Sequence, residues 1–341
     1  MRLDDRPLPL TRGQLDIWLA EETGSFAARW QLGVYMRIAG SLDVDLFETA
    51  VQQAVGEAEP LRAAFFEVDG QIVQRVIDDP DVELARYDLT RSQDPEREAY
   101  RLATSIQRTV MPLSGPLFKF AVFQTGANEF YWFACCHHIV VDGISLALVC
   151  HRVATIYNAI TSGTSIPPTF FGSLSDLIDC ELEYESSSDY LDDQEYWTRI
   201  LQSGSESQYR SVEAVTGPNE NESAAPVQLD PSAVAGIDEL AGKLGMRRSS
   251  VITAACALLV GGCDIENSEI VFDFPVSRRV RPESKLVPGM ISGAVPLVLK
   301  ASPGSTVAGF CEHVDRRIRE ALQHQRFPVH ALENAGHFRG P

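Results

Sequence analysis

The stretch Phe130–Ala147, "FYWFACCHHIVVDGISLA", puts two adjacent histidines and an Asp-Gly pair where an apolar strand leaves the core. Upstream, "LFKFAVFQTG" and the turn residues Gly126, Ala127 and Asn128 predict an antiparallel hairpin buried on both faces. Downstream, "ISLALVCHRVATIYNAITSG" predicts a helix starting straight after Asp142-Gly143. Successive side chains of a strand point to opposite faces, so His137 and His138 cannot both enter one cleft. One is expected to brace the structure and the other to act, since an imidazole exchanges protons near neutrality. A carboxylate buried at Asp142 needs a cation, and Gly143 is expected to permit the tight strand-to-helix turn.

Working outward, helices are expected from Thr11 to Gly24, from Asp43 or Asp45 to Pro60, and from about Pro95 to Val110. The segment "WQLGVYMRIAGSL" alternates like a strand, and "QIVQRVID" and "VELARYDL" are short strands. A Ser/Thr/Pro-rich linker spans Thr161–Phe171, followed by the acidic helical stretch "SDLIDCELEYESSSDYLDDQEYWTRIL". Residues 203–226 are polar and read as a mobile loop. The second half continues with a strand at 227–230, helices at 232–245 and 249–261, the strands "EIVFDFPV" and "SGAVPLVLK", and a helix at 306–322. Interspersed helices, strands and hairpins make the class α/β or α+β in two lobes, divided as 1–165 and 166–341.

The chain's 341 residues can bury two cores, and a net charge of −18 argues against nucleic acid or an anionic membrane as partner. The seven cysteines (135, 136, 150, 180, 256, 263 and 311) include no C-x-x-C pair and read as reduced, mostly core thiols of a cytoplasmic protein. No apolar run approaches the ~18 residues of a membrane helix. No His/Cys/Glu set has metal-ligand spacing, and no G-x-S-x-G elbow marks a serine nucleophile.

The string His137-His138-x3-Asp142-Gly143 resembles the H-H-x3-D-G signature of nonribosomal peptide synthetase condensation domains, relatives of chloramphenicol acetyltransferase. Other stretches match in order. Thr11, Gln14 and Trp18 resemble the first family motif, and Glu59, Leu61, Arg62 and Phe65 the second. "FGSLSDLI" with "QEYW" resembles the fourth, "GMISGAVPLVL" the fifth and "HQRFPVHAL" the sixth. Departures are Glu57-Ala58 for the usual Arg-His, Gly293 beside Ser292 for the usual Asn, and Arg326 for the usual Asp; these variants resemble starter domains. The chain ends at Pro341, before the family's last motif, so the second lobe reads as incomplete.

The resemblance implies two acetyltransferase-like lobes in a V-shaped pseudo-dimer with a tunnel between them. It implies that His138 is catalytic, as base or as the group that positions the amine. His137, Asp142, Gly143 and Arg62 would be structural in the site, with Arg62 as the cation for Asp142 and Gly143 offering a backbone N–H. Ser292 and Gly293 would line the tunnel, while Arg278, Arg279 and Arg281 are expected on the solvated surface. The domain would bind no cofactor of its own and would receive thioesters on the phosphopantetheine arms of partner carrier proteins. A first motif nine residues after Met1 implies a fatty- or aryl-acyl donor carrier in trans, with adenylation and peptidyl carrier domains downstream. An acyl-coenzyme A acyltransferase, a peptidyl-elongating condensation domain, an epimerisation domain and a non-catalytic docking member are the alternatives.

Overall fold

The computed structural model describes residues 7–23, 30–203, 229–261, 269–301, 304–329 and 332. The chain runs through β1 (Leu8–Pro9), α1 (Arg12–Thr23), β2 (Gln31–Ala39), α2 (Val44–Glu57), β3 (Ala63–Val68), β4 (Gln71–Val76) and β5 (Leu84–Asp88). Next come α3 (Pro95–Arg108), β6 (Phe118–Gly126), β7 (Glu129–His137), α4 (Gly143–Thr161), α5 (Leu174–Glu185) and α6 (Ser188–Ser203). After these lie α7 (Pro231–Leu244), α8 (Arg248–Gly261), β8 (Ile270–Val276), α9 (Pro282–Lys285), β9 (Gly293–Leu299) and α10 (Val307–Gln323). The mixed α/β class is as expected. The expected loop from 204 to 226 and residues 227–228 of the expected strand lie outside the described residues, and 229–230 are not strand, Asp230 instead capping α7.

Two compact units share the chain, one drawn from 1–186 with 279–292 and the other from 187–278 with 293–341. They do not divide at 165/166. Leu174, Leu177 and Ile178 of α5 are buried in the first core together with Met290 and Ile291, so apolar burial carries the first unit past the Pro-rich segment.

In the first unit the sheet runs β2-β7-β6-β5, antiparallel except for the parallel β5–β6 edge. Its central hairpin is covered on both faces, which is why β7 shows no polar alternation. Tyr131 stacks on Tyr35, whose ring meets Tyr100 of α3 edge-on, whereas Trp132 points the other way onto Phe47 of α2. Asp43 caps α2 by accepting the N–H groups of Asp45 and Leu46.

By length and composition α4 could cross a membrane, against the expectation from the sequence. Here Leu146, Val149, Val153 and Ile156 are buried in the core, and Tyr157 packs on Phe47 of α2. Cys135, Cys136 and Cys311 are buried as expected, Cys150 and Cys180 are half-buried, Cys256 is exposed on α8, and Cys263 lies outside the described residues.

Beneath α4, the guanidinium of Arg152 is 1% exposed and forks onto Glu57, Nε to Oε2 at 2.6 Å and an Nη to Oε1 at 2.9 Å. It also donates to the carbonyls of Pro167 (2.9 Å) and Pro168 (3.4 Å), tying the Pro-rich segment to α2 and α4. The half-buried Glu57 is thus the counter-ion of the buried Arg152, in the place where the resembling motif has arginine. Burial pushes the Glu57 carboxyl up, but hydrogen bonds from Arg152, Gln53 and Thr169, with the Arg152 charge, hold it below its ordinary value. A carboxyl depressed in the folded state contributes stability that is present at neutral pH and lost as pH falls through the folded value. Glu57→Ala strands a fully buried cation and is expected to cost about 3–5 kcal/mol. Urea unfolding measures it, and a cost below about 1 kcal/mol, typical of surface pairs, contradicts the pairing.

The second unit packs α10 on the antiparallel pair β8–β9, burying Phe310, Val314 and Ile318 with Val295, Leu297 and Leu299. Thr306 caps α10 by accepting the N–H of Gly309.

Candidate active site around the histidine turn

Strand β7 ends at His137, opposite Gln31 of β2. The His137 N–H still pairs with the Leu117 carbonyl (2.9 Å), whereas the His138 N–H turns to the Trp30 carbonyl (2.5 Å). The turn closes through Val140 N–H to His137 O at 3.1 Å. The two histidines are therefore separated by the end of the strand as well as by its pleat.

The His137 side chain is 1% exposed and held at both nitrogens. Its Nδ1 accepts the Ile139 N–H at 3.2 Å, which leaves the proton of the neutral ring on Nε2, 2.8 Å from Glu21 Oε1 of α1. Burial pushes the His137 pKa down, opposed by the Glu21 charge and hydrogen bond. His138 is half-buried, lies edge-on to Trp30 at 6.4 Å, and its buried Nδ1 has no hydrogen-bond partner among the described residues.

Asp142 is the N-cap of α4, its Oδ1 accepting from the N–H and hydroxyl of Ser145, each at 2.8 Å. It is 1% exposed, and its cation is Arg279, with one Nη 3.0 Å from each carboxylate oxygen. That guanidinium also reaches the carbonyls of Ser284 (2.7 Å), Val287 (2.8 Å) and Gly289 (3.1 Å). Oδ2 takes the N–H of Ser292 at 3.1 Å, so one carboxylate organises both the helix start and the 289–292 segment.

This corrects two expectations. Arg62 is not the partner of Asp142: it sits in the 3₁₀ turn Pro60–Arg62, fixed through its own carbonyl to Ile77 N–H, and aims its guanidinium at the Ile77 carbonyl (2.5 Å). Nor do the three arginines form a solvated cluster. Only Arg281 is exposed, Arg279 is buried, and Arg278 is half-buried.

Gly143 is not demanded by the turn, since its φ is outside the left-handed region and a Cβ there would meet nothing within 4 Å. The Asp142 cap makes the turn, and the glycine leaves open space before the first N–H groups of α4.

Ser292 gives its N–H to Asp142, and Gly293 begins β9. A Cβ at 293 would fall 2.3 Å from Arg278 Cζ, so the arginine occupies the volume of the missing side chain. Arg278 is held in the left-handed region (φ 54°) with its N–H on Gln325 Oε1 at 3.0 Å. Nearby in that unit, His324 Nδ1 lies 2.7 Å from Asp193 Oδ1, its ring stacks on Tyr196, and its carbonyl accepts Trp197 Nε1–H. The QEYW stretch thus meets the sixth motif as scaffold.

The first motif is scaffold too. Gln14 exchanges hydrogen bonds with Thr11 and pairs amide to amide with Gln74 of β4, all three side chains being buried. Sequence reasoning missed Gln74, Glu21, Trp30, Arg152 and Arg279, because each acts through a distant partner rather than a spacing. The requirement of a buried Asp142 for a cation was the one available signal, and it did not say which arginine. Among the described residues no three His, Cys, Asp or Glu side chains gather as metal ligands.

The arrangement presents one imidazole that can hold a proton, on a turn fixed at both ends, beside the open N-terminus of a 19-residue helix. The condensation-domain family matches residues 5–339. Similar proteins include the dimodular nonribosomal peptide synthase of Bacillus subtilis (strain 168), 28% identical over 95% of this chain and 14% of that protein. The isonitrile lipopeptide synthase of Streptomyces coeruleorubidus is 28% identical over 95% of this chain and 22% of that protein. Enterobactin synthase component F of Escherichia coli (strain K12) is 26% identical over 95% and 25%. The chain thus spans between 14% and 25% of these relatives. Among solved structures, the first condensation domain of the calcium-dependent antibiotic synthetase, in complex with a substrate analogue, superposes with a TM-score of 0.88. It is 26% identical and covers 99% of this chain and 79% of that one. A mutant of the starter condensation domain of the rhizomide synthetase RzmA, in complex with C8-CoA, gives a TM-score of 0.84 at 27% identity, covering 96% and 74%.

Proposed function

Since the chain belongs to the condensation-domain family, we propose that it joins a carrier-bound acyl donor to a carrier-bound aminoacyl acceptor through an amide bond, with His138 at the reacting centre. The observation that carries this reading is the His138 ring itself, its Nδ1 unpartnered among the described residues, on a turn held by the bonds of His137, Ile139 and Val140. The acceptor amine attacks the thioester carbonyl, the tetrahedral intermediate expels the donor thiolate, and the proton lost by nitrogen ends on that sulfur. A thioester is already activated, so alignment and the management of one proton are the tasks left to the protein. His138 serves as base or as the group that orients the amine. His137 and the Asp142–Arg279 pair hold the turn, and Gly143 keeps the approach to the α4 N–H groups open.

The donor in this reading is a fatty or aryl acyl group delivered in trans, with the acceptor on a peptidyl carrier. Support comes from the motif departures at Gly293 and Arg326 and from the likeness to the RzmA starter domain, whose complex holds C8-CoA. The phosphopantetheine arms belong to the carriers and act as substrate handles.

To test it, the natural full-length protein is supplied with an octanoyl-loaded carrier, a peptidyl-loaded carrier or octanoyl-coenzyme A, each with a panel of aminoacyl-loaded carriers. Intact-protein mass spectrometry should show the octanoyl mass on one aminoacyl carrier when the donor is the octanoyl carrier. Reaction of the peptidyl donor alone would replace the starter assignment by elongation. Reaction of free octanoyl-coenzyme A alone would place the activity with acyl-coenzyme A acyltransferases.

A further inference from the structure

We propose that Glu21 is a positioning residue for His138, acting through the tautomer of His137. This rests on the reading of His138 as the reacting group.

The argument starts from the Ile139 N–H. Ile139 and Val140 are fully buried, and the acceptor for that N–H is His137 Nδ1 at 3.2 Å. A buried N–H without an acceptor is costly, so this bond holds the backbone on the far side of His138. On the near side the His138 N–H is bonded to the Trp30 carbonyl. With both flanks pinned, the position of the His138 ring depends on its own torsions alone.

The far-side bond exists in one protonation pattern of His137. The ring must be neutral with hydrogen on Nε2; hydrogen on Nδ1 would set two donors against each other. Glu21 selects that pattern, because its Oε1 lies 2.8 Å from Nε2 and accepts that hydrogen in a site where the histidine is 1% exposed. Among the described residues the titratable groups that act on the ring are Glu21 from α1 and His138 from the turn. Glu21 is thus the carboxylate present to fix the tautomer, and it acts without touching the reacting atoms.

The test uses the natural full-length protein with histidine labelled by ¹⁵N. Long-range ¹H–¹⁵N spectra should show the wild-type His137 ring as the neutral Nε2–H form. Glu21→Ala should lose that form and lower kcat by roughly tenfold or more with KM little changed, the mark of a misplaced catalytic group. Glu21→Gln retains an acceptor oxygen and should restore both the tautomer and turnover to within a few-fold. A wild-type ring with hydrogen on Nδ1, or Glu21→Ala with full kcat, overturns the positioning role. If Glu21→Ala fails to fold, the wild-type spectrum and Glu21→Gln still decide. A wild-type protein that forms no amide from any of the thioester donors overturns the reaction, and the role with it. Normal wild-type turnover with unaltered turnover in Glu21→Ala overturns the role alone.

Discussion

His138→Ala is expected to lower amide formation by roughly 10²–10⁴-fold, the usual contribution of a positioned acid–base group, while the unfolding curve stays where it was. The ring is half-buried, its Nδ1 bonds to nothing among the described residues, and its hold on the fold is the backbone N–H to Trp30, which alanine retains. His137→Ala should do the reverse. It removes a fully buried ring, deprives Ile139 N–H of its acceptor and leaves Glu21 without its donor, each loss worth about 1–3 kcal/mol. Turnover in that variant falls because the protein and its turn are loosened, so lowering the temperature should recover part of it. The paired measurement is thermal unfolding beside single-turnover transfer. If His138→Ala keeps its turnover at an unchanged melting temperature, the imidazole has no part in the reaction.

The different surroundings of the two histidines were legible in the sequence for a physical reason: His137 is buried and bonded, His138 half-buried. A strand has a period of two, an apolar run that stops must leave the core, and histidine is the side chain that can either brace or react there. The helices and strands were legible on similar grounds. Asp43, Thr306 and the apolar runs each satisfy local hydrogen-bonding or burial requirements, and the structure meets them locally. Long-range electrostatics were not legible. Arg62 and Arg279 are both arginines in recognisable surroundings, and no local rule distinguishes a guanidinium that meets a carbonyl from one that meets a carboxylate 137 positions away. The same holds for Glu57 and Arg152, where a departure from the resembling motif is explained only by a counter-ion on another helix. The extent of the first unit was hidden likewise, because the 279–292 segment belongs to it through Arg279, Met290 and Ile291 rather than through proximity in the chain.

That segment also makes the Asp142–Arg279 pair a sensitive point of the scaffold. Arg279→Ala leaves a carboxylate that is 1% exposed without its cation, and Asp142→Ala leaves a guanidinium that is 4% exposed facing carbonyls alone. Either change is expected to cost about 3–5 kcal/mol, the range for breaking one partner of a buried ion pair. The arginine variant additionally frees the carbonyls of Ser284, Val287 and Gly289, and the aspartate variant uncaps α4 and releases the Ser292 N–H. The two losses share the ion pair, so they should not add. The double variant Asp142→Ala/Arg279→Ala should be less destabilised than the sum of the singles, with a coupling of about 1–3 kcal/mol. Urea denaturation of the four proteins provides the cycle. Single-variant losses that sum to the double-variant loss within about 0.5 kcal/mol would show that the two charges are held independently by their backbone partners. The helix start and the 289–292 segment would then be stabilised separately. With coupling present, the pair is one device: the carboxylate that begins α4 after the histidine turn also fixes the chain that leads into β9, and weakening either end loosens both.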